Sequence, residues 1–366
     1  MTRLIAVLAA AAALAAPASL AESRAASSTQ YLGLATDGIA RLKQVWWNPV
    51  TSWYTSYPYS ANQGAGGNAT LWDAYPVFET IALVAIAHPT PTNKAAVIRV
   101  ATGAERYWDP TLKPHGGYAW LPGLRSAKNA FFDDNGWWGL AFYDAYRATA
   151  KPQFLRDAIR AFDFINDAGW AKNGGGVWWD TAHEKKTSEP LAAEALLGAE
   201  LYATTHQVSY LRVAEKMIAW ANRNSWNAAR GLYQRSDTSD TVMNYVEGMM
   251  IAAHVVLCRT LHVSSWCQKA EQLATAAQLA FPPAYRWAPE TDAIYLRWLL
   301  ELYKQDRDPR WYAVADNWAQ QAAAKARDAN GLFTLGWDGG FASNERLLTD
   351  GGTLMLFAAM ATVSPS

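Results

Sequence analysis

Equal numbers of basic and acidic side chains, 32 of each in 366 residues, leave the chain with no formal net charge. No run of Lys or Arg marks a nucleic-acid or anionic-membrane partner, and balanced charge suits a monomer. The 19 Trp and 17 Tyr exceed what a core requires. Flat rings with one polar edge suit the faces of sugars as well as packing, so composition leans towards a carbohydrate ligand.

In chain order, Arg3 precedes an apolar run from Leu4 to Ala16, Pro17 breaks it, and Ser19 and Ala21 supply the small residues of a cleavage site. This pattern predicts a secretory signal peptide over 1–21 and an exported, extracellular product comprising one domain over 22–366. No later segment approaches ~20 uninterrupted apolar residues, so no membrane span is expected. Helical periodicity then dominates, with apolar residues at three- and four-residue spacing and almost no strand-like alternation. The spacing predicts twelve helices, over 29–47, 71–87, 92–107, 134–149, 152–170, 187–206, 208–227, 243–262, 266–280, 290–305, 309–328 and 345–361. Short turns such as Ala150-Lys151-Pro152 separate members of a pair, with Pro just inside the following helix. Cys258 and Cys267 flank one such turn, His262-Val263-Ser264-Ser265, and the exported context permits a disulfide between them. Nothing near them has metal-ligand spacing, so no metal and no cofactor is expected.

Longer loops between pairs share a character: aromatic or Asp, then Gly, then aromatics. The stretches Trp46 to Tyr54, Trp108 to Trp120, Gly174 to Asp180, Gly231 to Tyr233 and Gly331 to Asp338 share it in whole or in part. A period built of two helices is an internal repeat. Six hairpins predict an all-α (α/α)6 toroid with the even-numbered helices inside. An open solenoid would need a polar terminal cap, and the last helix carries the apolar run Leu354 to Met360. The long loops should collect at one rim and form a cleft there.

The segment Phe131-Phe132-Asp133-Asp134-Asn135-Gly136-Trp137-Trp138 places two carboxylates where a loop meets a predicted inner helix, among four aromatic rings. Helix capping is the ordinary use of such residues. Desolvating two capping carboxylates with aromatics, however, is costly without a purpose. Glycoside hydrolysis needs one carboxylate and one carboxylic acid, and neighbouring carboxyls separate their pKa values in that sense. Adjacent side chains suit the narrow spacing of a retaining pair better than the wide inverting gap. Other chemistries fail on residue types. The six histidines lack HExxH spacing, no G-x-S-x-G or Walker loop occurs, and the glycines of Gln63 to Gly67 follow no predicted strand.

The segment from Asp133 to Tyr146, together with Gly174 to Trp179 and Ile294 to Leu299, resembles glycoside hydrolase family 76, the endo-α-1,6-mannanases. The likeness in pattern runs from about Ala35 to Ala361. It implies an (α/α)6 toroid that cuts α-mannan with retention and without a metal, with Asp133 as nucleophile and Asp134 as general acid/base. The chain departs from the family pattern at Val246 and Glu247, where Asn-Gln is frequent, and at Ser188-Glu189, where a Ser-Asn pair is usual. Linkage and chain specificity therefore stay open. Trp72, Asp73, Trp137, Trp138, Trp178, Trp179, Tyr245, Glu247, Arg297 and Trp337 are candidate substrate contacts, each also able to serve as a cap, a packing residue or an ion-pair partner. Three alternatives stand beside a hydrolase: a transglycosylase using the same pair, a non-catalytic mannan-binding toroid, and another toroid enzyme. Few histidines or basic residues in the aromatic loops disfavour the last.

Overall fold

The computed structural model describes residues 18–59, 67–123, 130–282 and 287–364. The expected signal peptide lies outside these residues apart from 18–21, and so do 63–66 of the glycine-rich segment. Among the described residues twelve α-helices follow one another: α1 (Ala18–Val45), α2 (Leu71–Ala87), α3 (Pro91–Ala104), α4 (Phe132–Thr149), α5 (Pro152–Phe164), α6 (Ser188–Thr205), α7 (Val208–Asn224), α8 (Asn244–Leu261), α9 (Ser264–Ala280), α10 (Pro289–Asp306), α11 (Pro309–Lys325) and α12 (Leu347–Ala361). Short turns join α2 to α3, α4 to α5, α6 to α7, α8 to α9 and α10 to α11 as hairpins, and α12 pairs with α1 to make the sixth. Each even-numbered helix packs on the next, and α12 closes the ring on α2. The odd-numbered helices pack outside, α1 spanning the seam against α12 and α2. The fold is the (α/α)6 toroid that the periodicity predicts.

Inner and outer helices differ as the two environments require. Every residue of α12 from Leu347 to Met360 is buried, whereas α5 buries only a stripe, Phe154, Asp157, Ala158, Ala161, Phe162 and Phe164. A helix enclosed on all sides must be apolar or small all round, and an outer one need be so on one face. Inner helices approach closely where a side chain is absent: a Cβ on Gly248 of α8 would stand 2.8 Å from the Tyr295 Cα of α10.

Four hairpin tips share one device. Ala150, His206, His262 and Arg307 each take a left-handed conformation (φ 57° to 61°) that ends an inner helix and turns the chain into the next outer one. Cys258, in the last turn of α8, and Cys267, in the first turn of α9, are disulfide-bonded across such a tip, with Cα atoms 5.3 Å apart.

The outer helices α1, α3, α5 and α7 end earlier than the periodicity suggests, because their last aromatic residues leave the α-helix. Trp47-Asn48 (β1) pairs with Trp53-Tyr54 (β2), and Trp108-Asp109 (β3) with Gly117-Tyr118 (β4). Trp226-Asn227 (β5) and Leu232–Ser236 (β6) pair in the same way, and β6 pairs further with Ser239–Val242 (β7). Strands of two residues are too short to display a period of two. In each ribbon the Asn or Asp side chain accepts the amide two or three residues on, as Asn48 does from Val50 and Asp109 from Thr111. That Asx turn, rather than a further helical turn, satisfies the backbone. At the other end α1 starts earlier than expected, at Ala18, through Ala, Leu, Glu and Arg that favour helix and no Gly or Pro.

Candidate active site

The first turns of the inner helices converge on one rim around a cleft of about 400 Å³. It is lined by Thr70 and Trp72 of α2, Asp133, Asp134 and Trp137 of α4, Glu189 of α6, Tyr245 of α8, and Glu290 and Thr291 of α10. Trp120, Phe131, Trp179, Trp287 and Arg235 of β6 complete the wall. Helix N-termini point free N–H groups and a positive dipole end into such a space, which suits the carboxylates collected there.

Asp133 and Asp134 occupy the first turn of α4 with different partners. The Asp134 amide donates to Asp133 Oδ1 at 3.0 Å, and the Trp179 indole Nε1 donates to Asp133 Oδ2 at 3.0 Å. Both bonds favour the charged form. Among the described residues no donor reaches the Asp134 carboxyl, which is buried but for its face on the cleft. Burial, and then the charge of Glu189, pushes the Asp133 carboxyl from 3.8 up to about 7 despite those donors. Burial raises Asp134 well above the usual carboxylate range, with the charges of Asp133 and Asp73 adding to it. Both carboxyls are thus raised, and the two donors on Asp133 favour its charged form over that of Asp134.

Trp179 is brought to Asp133 by backbone pairing: Phe132 N donates to Trp179 O, and Phe131 bridges to Asp180. Trp72, Trp137 and Tyr245 form a continuous aromatic wall, with Trp72 and Trp137 ring centres 5.6 Å apart and Trp137 and Tyr245 6.1 Å apart. Of the other sequence candidates, several are turned away from the cleft. Trp138 lies wholly inside the core against Phe78 and Tyr107. Trp178 alternates with Trp179 along the chain, so it faces a separate surface groove and stacks on His183. Trp337 donates its indole N–H to Asp292 and packs on Trp318.

Glu247 is buried and accepts the Tyr233 amide at 2.7 Å. Asn135 and Asp350, each likewise the fourth residue of an inner helix, accept the amides of Tyr118 and Phe333 in the same manner. Glu247 and Asn135 tie an inner helix to the ribbon before it, and Asp350 ties α12 to the bridge of Phe333 with Arg327. Asp73 is sequestered beneath the rim by Ser56, Thr70 and Arg346. Arg297 lies deep in the ring, ion-paired with Glu79 and Asp144. Substrate contact by Trp138, Trp337, Glu247, Arg297 and Asp73 is therefore corrected to support of the frame, and Trp178 to a different surface.

Sequence reading did not single out Arg235, Glu290, Trp120, Phe131 or Trp287 as cleft residues. A rule that first turns of inner helices face the cleft would have found Glu290. Arg235 sits on a strand that carries no periodic signal.

The model of glycosyl hydrolase family 76 matches residues 43–292, more than half of the chain. The chain belongs to glycosyl hydrolase family 76. No curated protein matches it. Among solved structures, this family 76 chain resembles a family 76 mannosidase from Bacteroides thetaiotaomicron (TM-score 0.81, 18% identity, covering 91% of this chain and 98% of that one). It also resembles an inactive variant of an α-1,6-mannanase from Salegentibacter sp., altered at two adjacent aspartates and bound to α-1,6-mannotriose (TM-score 0.72, 15% identity, 90% and 99% covered). Dfg5 from Chaetomium thermophilum, in complex with glucosamine, is similar in fold too (TM-score 0.73, 14% identity, 91% and 90% covered).

Proposed function

We propose that this family 76 glycoside hydrolase cuts α-1,6-mannan internally and with retention, outside the cell, with Asp133 as nucleophile and Asp134 as general acid/base. The observation that carries the reading is the unequal hydrogen bonding of the dyad: two donors favour the carboxylate form of Asp133, and among the described residues none reaches Asp134. The α-1,6-mannanase from Salegentibacter, inactive when two adjacent aspartates become asparagine, supports both the pair and the linkage. The signal-peptide pattern and the Cys258–Cys267 disulfide support export.

In the first step an Asp133 oxygen forms a bond to the anomeric carbon as the glycosidic C–O bond breaks. The Asp134 proton passes to the departing oxygen, leaving Asp134 ionised. In the second step Asp134 takes a proton from water while that water's oxygen displaces Asp133, restoring both groups. Low solvation near the aromatic wall strengthens each interaction as charge develops on the sugar.

Linear α-1,6-mannan incubated with the enzyme and followed by NMR tests the reading. Shorter fragments released first as the α-anomer are expected. A β-anomeric first product would sink the retaining mechanism, and lengthened oligomers would point to transfer onto a second sugar.

A further inference from the structure

Glu189, in the first turn of α6, lines the same cleft as Asp133, yet only 2% of it is exposed. One oxygen accepts the Arg235 Nε at 3.0 Å, while Oε2 is buried with no partner in hydrogen-bond geometry among the described residues. Arg235 crosses from β6 and is itself partly exposed in the cleft. A buried carboxylate with a half-satisfied shell, set beside a catalytic dyad and clamped by one guanidinium, is costly to maintain for packing alone.

We propose that Glu189 and Arg235 form a positioning pair that governs the charge balance at Asp133, so that Arg235 acts on the nucleophile through Glu189. This rests on the reading of Asp133 as nucleophile. The groups facing the two carboxylates define the balance. Asp133 meets Glu189 from α6, the Trp179 indole, the neighbouring Asp134 and the Tyr245 ring from α8. Glu189 meets Arg235 from β6, the Thr187 hydroxyl, Asp133 from α4 and the same Tyr245. The charge of Glu189 disfavours ionised Asp133, second only to burial, and Arg235 opposes the burial that disfavours ionised Glu189. The cation therefore keeps a negative charge beside the nucleophile, which holds the proton of Asp133 to higher pH.

Two measurements on the full chain test the pair, each in the wild type, Glu189→Gln, Arg235→Met and the double variant. The first is the pH titration of the Asp133 carboxyl by carbon NMR, which needs no substrate. The second is the acidic limb of kcat/KM on α-1,6-mannan. Glu189→Gln is expected to lower the Asp133 titration by about half a pH unit or more, about a threefold change in its ionisation constant. Arg235→Met should move it in the otherwise wild-type chain and leave it in place when Glu189→Gln is already present, with Arg235→Lys restoring part of the shift. An unmoved titration in Glu189→Gln, or equal effects of Arg235→Met with and without Glu189→Gln, overturns the inference. If the titrations move as expected while mannan is untouched, the pair stands and the functional reading fails. If mannan is cut while the titrations stay put, the reverse holds.

Discussion

Trp179 joins the aromatic wall and the chemistry in one side chain, because its ring lines the cleft while its N–H holds Asp133 Oδ2. Trp179→Phe keeps most of the ring and removes the donor. A hydrogen bond to a charged group is worth about 1.5–3 kcal/mol, so the carboxylate form of Asp133 loses that support and its pKa, already about 7, rises further. Activity that requires ionised Asp133 should then fail at higher pH than in the wild type, by about one unit in the acidic limb of kcat/KM. Activity at alkaline pH should suffer least. Asp134→Asn makes a different pattern: leaving-group protonation is lost at every pH, a fall of about 10²–10⁴-fold. A substrate with an activated leaving group, which needs no proton, should recover much of the first step. An unchanged rate on mannan for Asp134→Asn would remove it from the mechanism.

At the scale of elements, Arg297 shows why a residue's helix can be legible and its neighbours not. Periodicity places it on an inner helix. Which of the inner helix's faces meets the cleft, and how deep, depends on the ring's closure. The structure sets Arg297 between Glu79 of α2 and Asp144 of α4, linking three inner helices across the ring. Arg297→Leu would leave Glu79 buried without its cation and Asp144 with Arg147 alone, and should cost about 3–5 kcal/mol in a denaturant titration. Gly248→Ala tests a close helix contact, since its Cβ would meet Tyr295 backbone that cannot rotate away. About 1–3 kcal/mol of destabilisation is expected. All twelve helices, and the place of Asp133 and Asp134 where a loop enters α4, were legible because local period and composition carry them. The ribbon tethers were not, since Glu247 and Trp337 resemble rim residues until the pairing of distant segments turns them inward. Arg235 belongs to the same class: only the fold brings β6 beside α6.

Across the whole molecule, carboxylates buried around the rim give the protein an uncommon dependence of stability on pH. Burial raises Asp292 and Asp350 to about 7, as it does Asp133, while the indole of Trp337 and the amide of Phe333 pull only partly the other way. Glu247 is raised well above its usual range by the same cause. An unfolded Asp titrates near 3.9, so between that value and about 7 the folded state holds protons that the unfolded state has released. Stability therefore declines as pH rises through this window, the reverse of a salt-bridged carboxylate. His254 works against the trend, because burial lowers it to about 4 and its contribution is lost as pH falls below about 6.5. Above about pH 6.5 that opposition has ended while the carboxylates are still losing protons. Thermal melts at about pH 6.5 and about pH 8 should thus show a lower Tm at the higher pH, by several degrees. Asp350→Asn, which keeps an acceptor for the Phe333 amide without a titrating proton, should flatten that slope. A Tm that rises across the same interval would mean that these carboxylates ionise as easily folded as unfolded, and the burial that raises them would have to be given up as the cause.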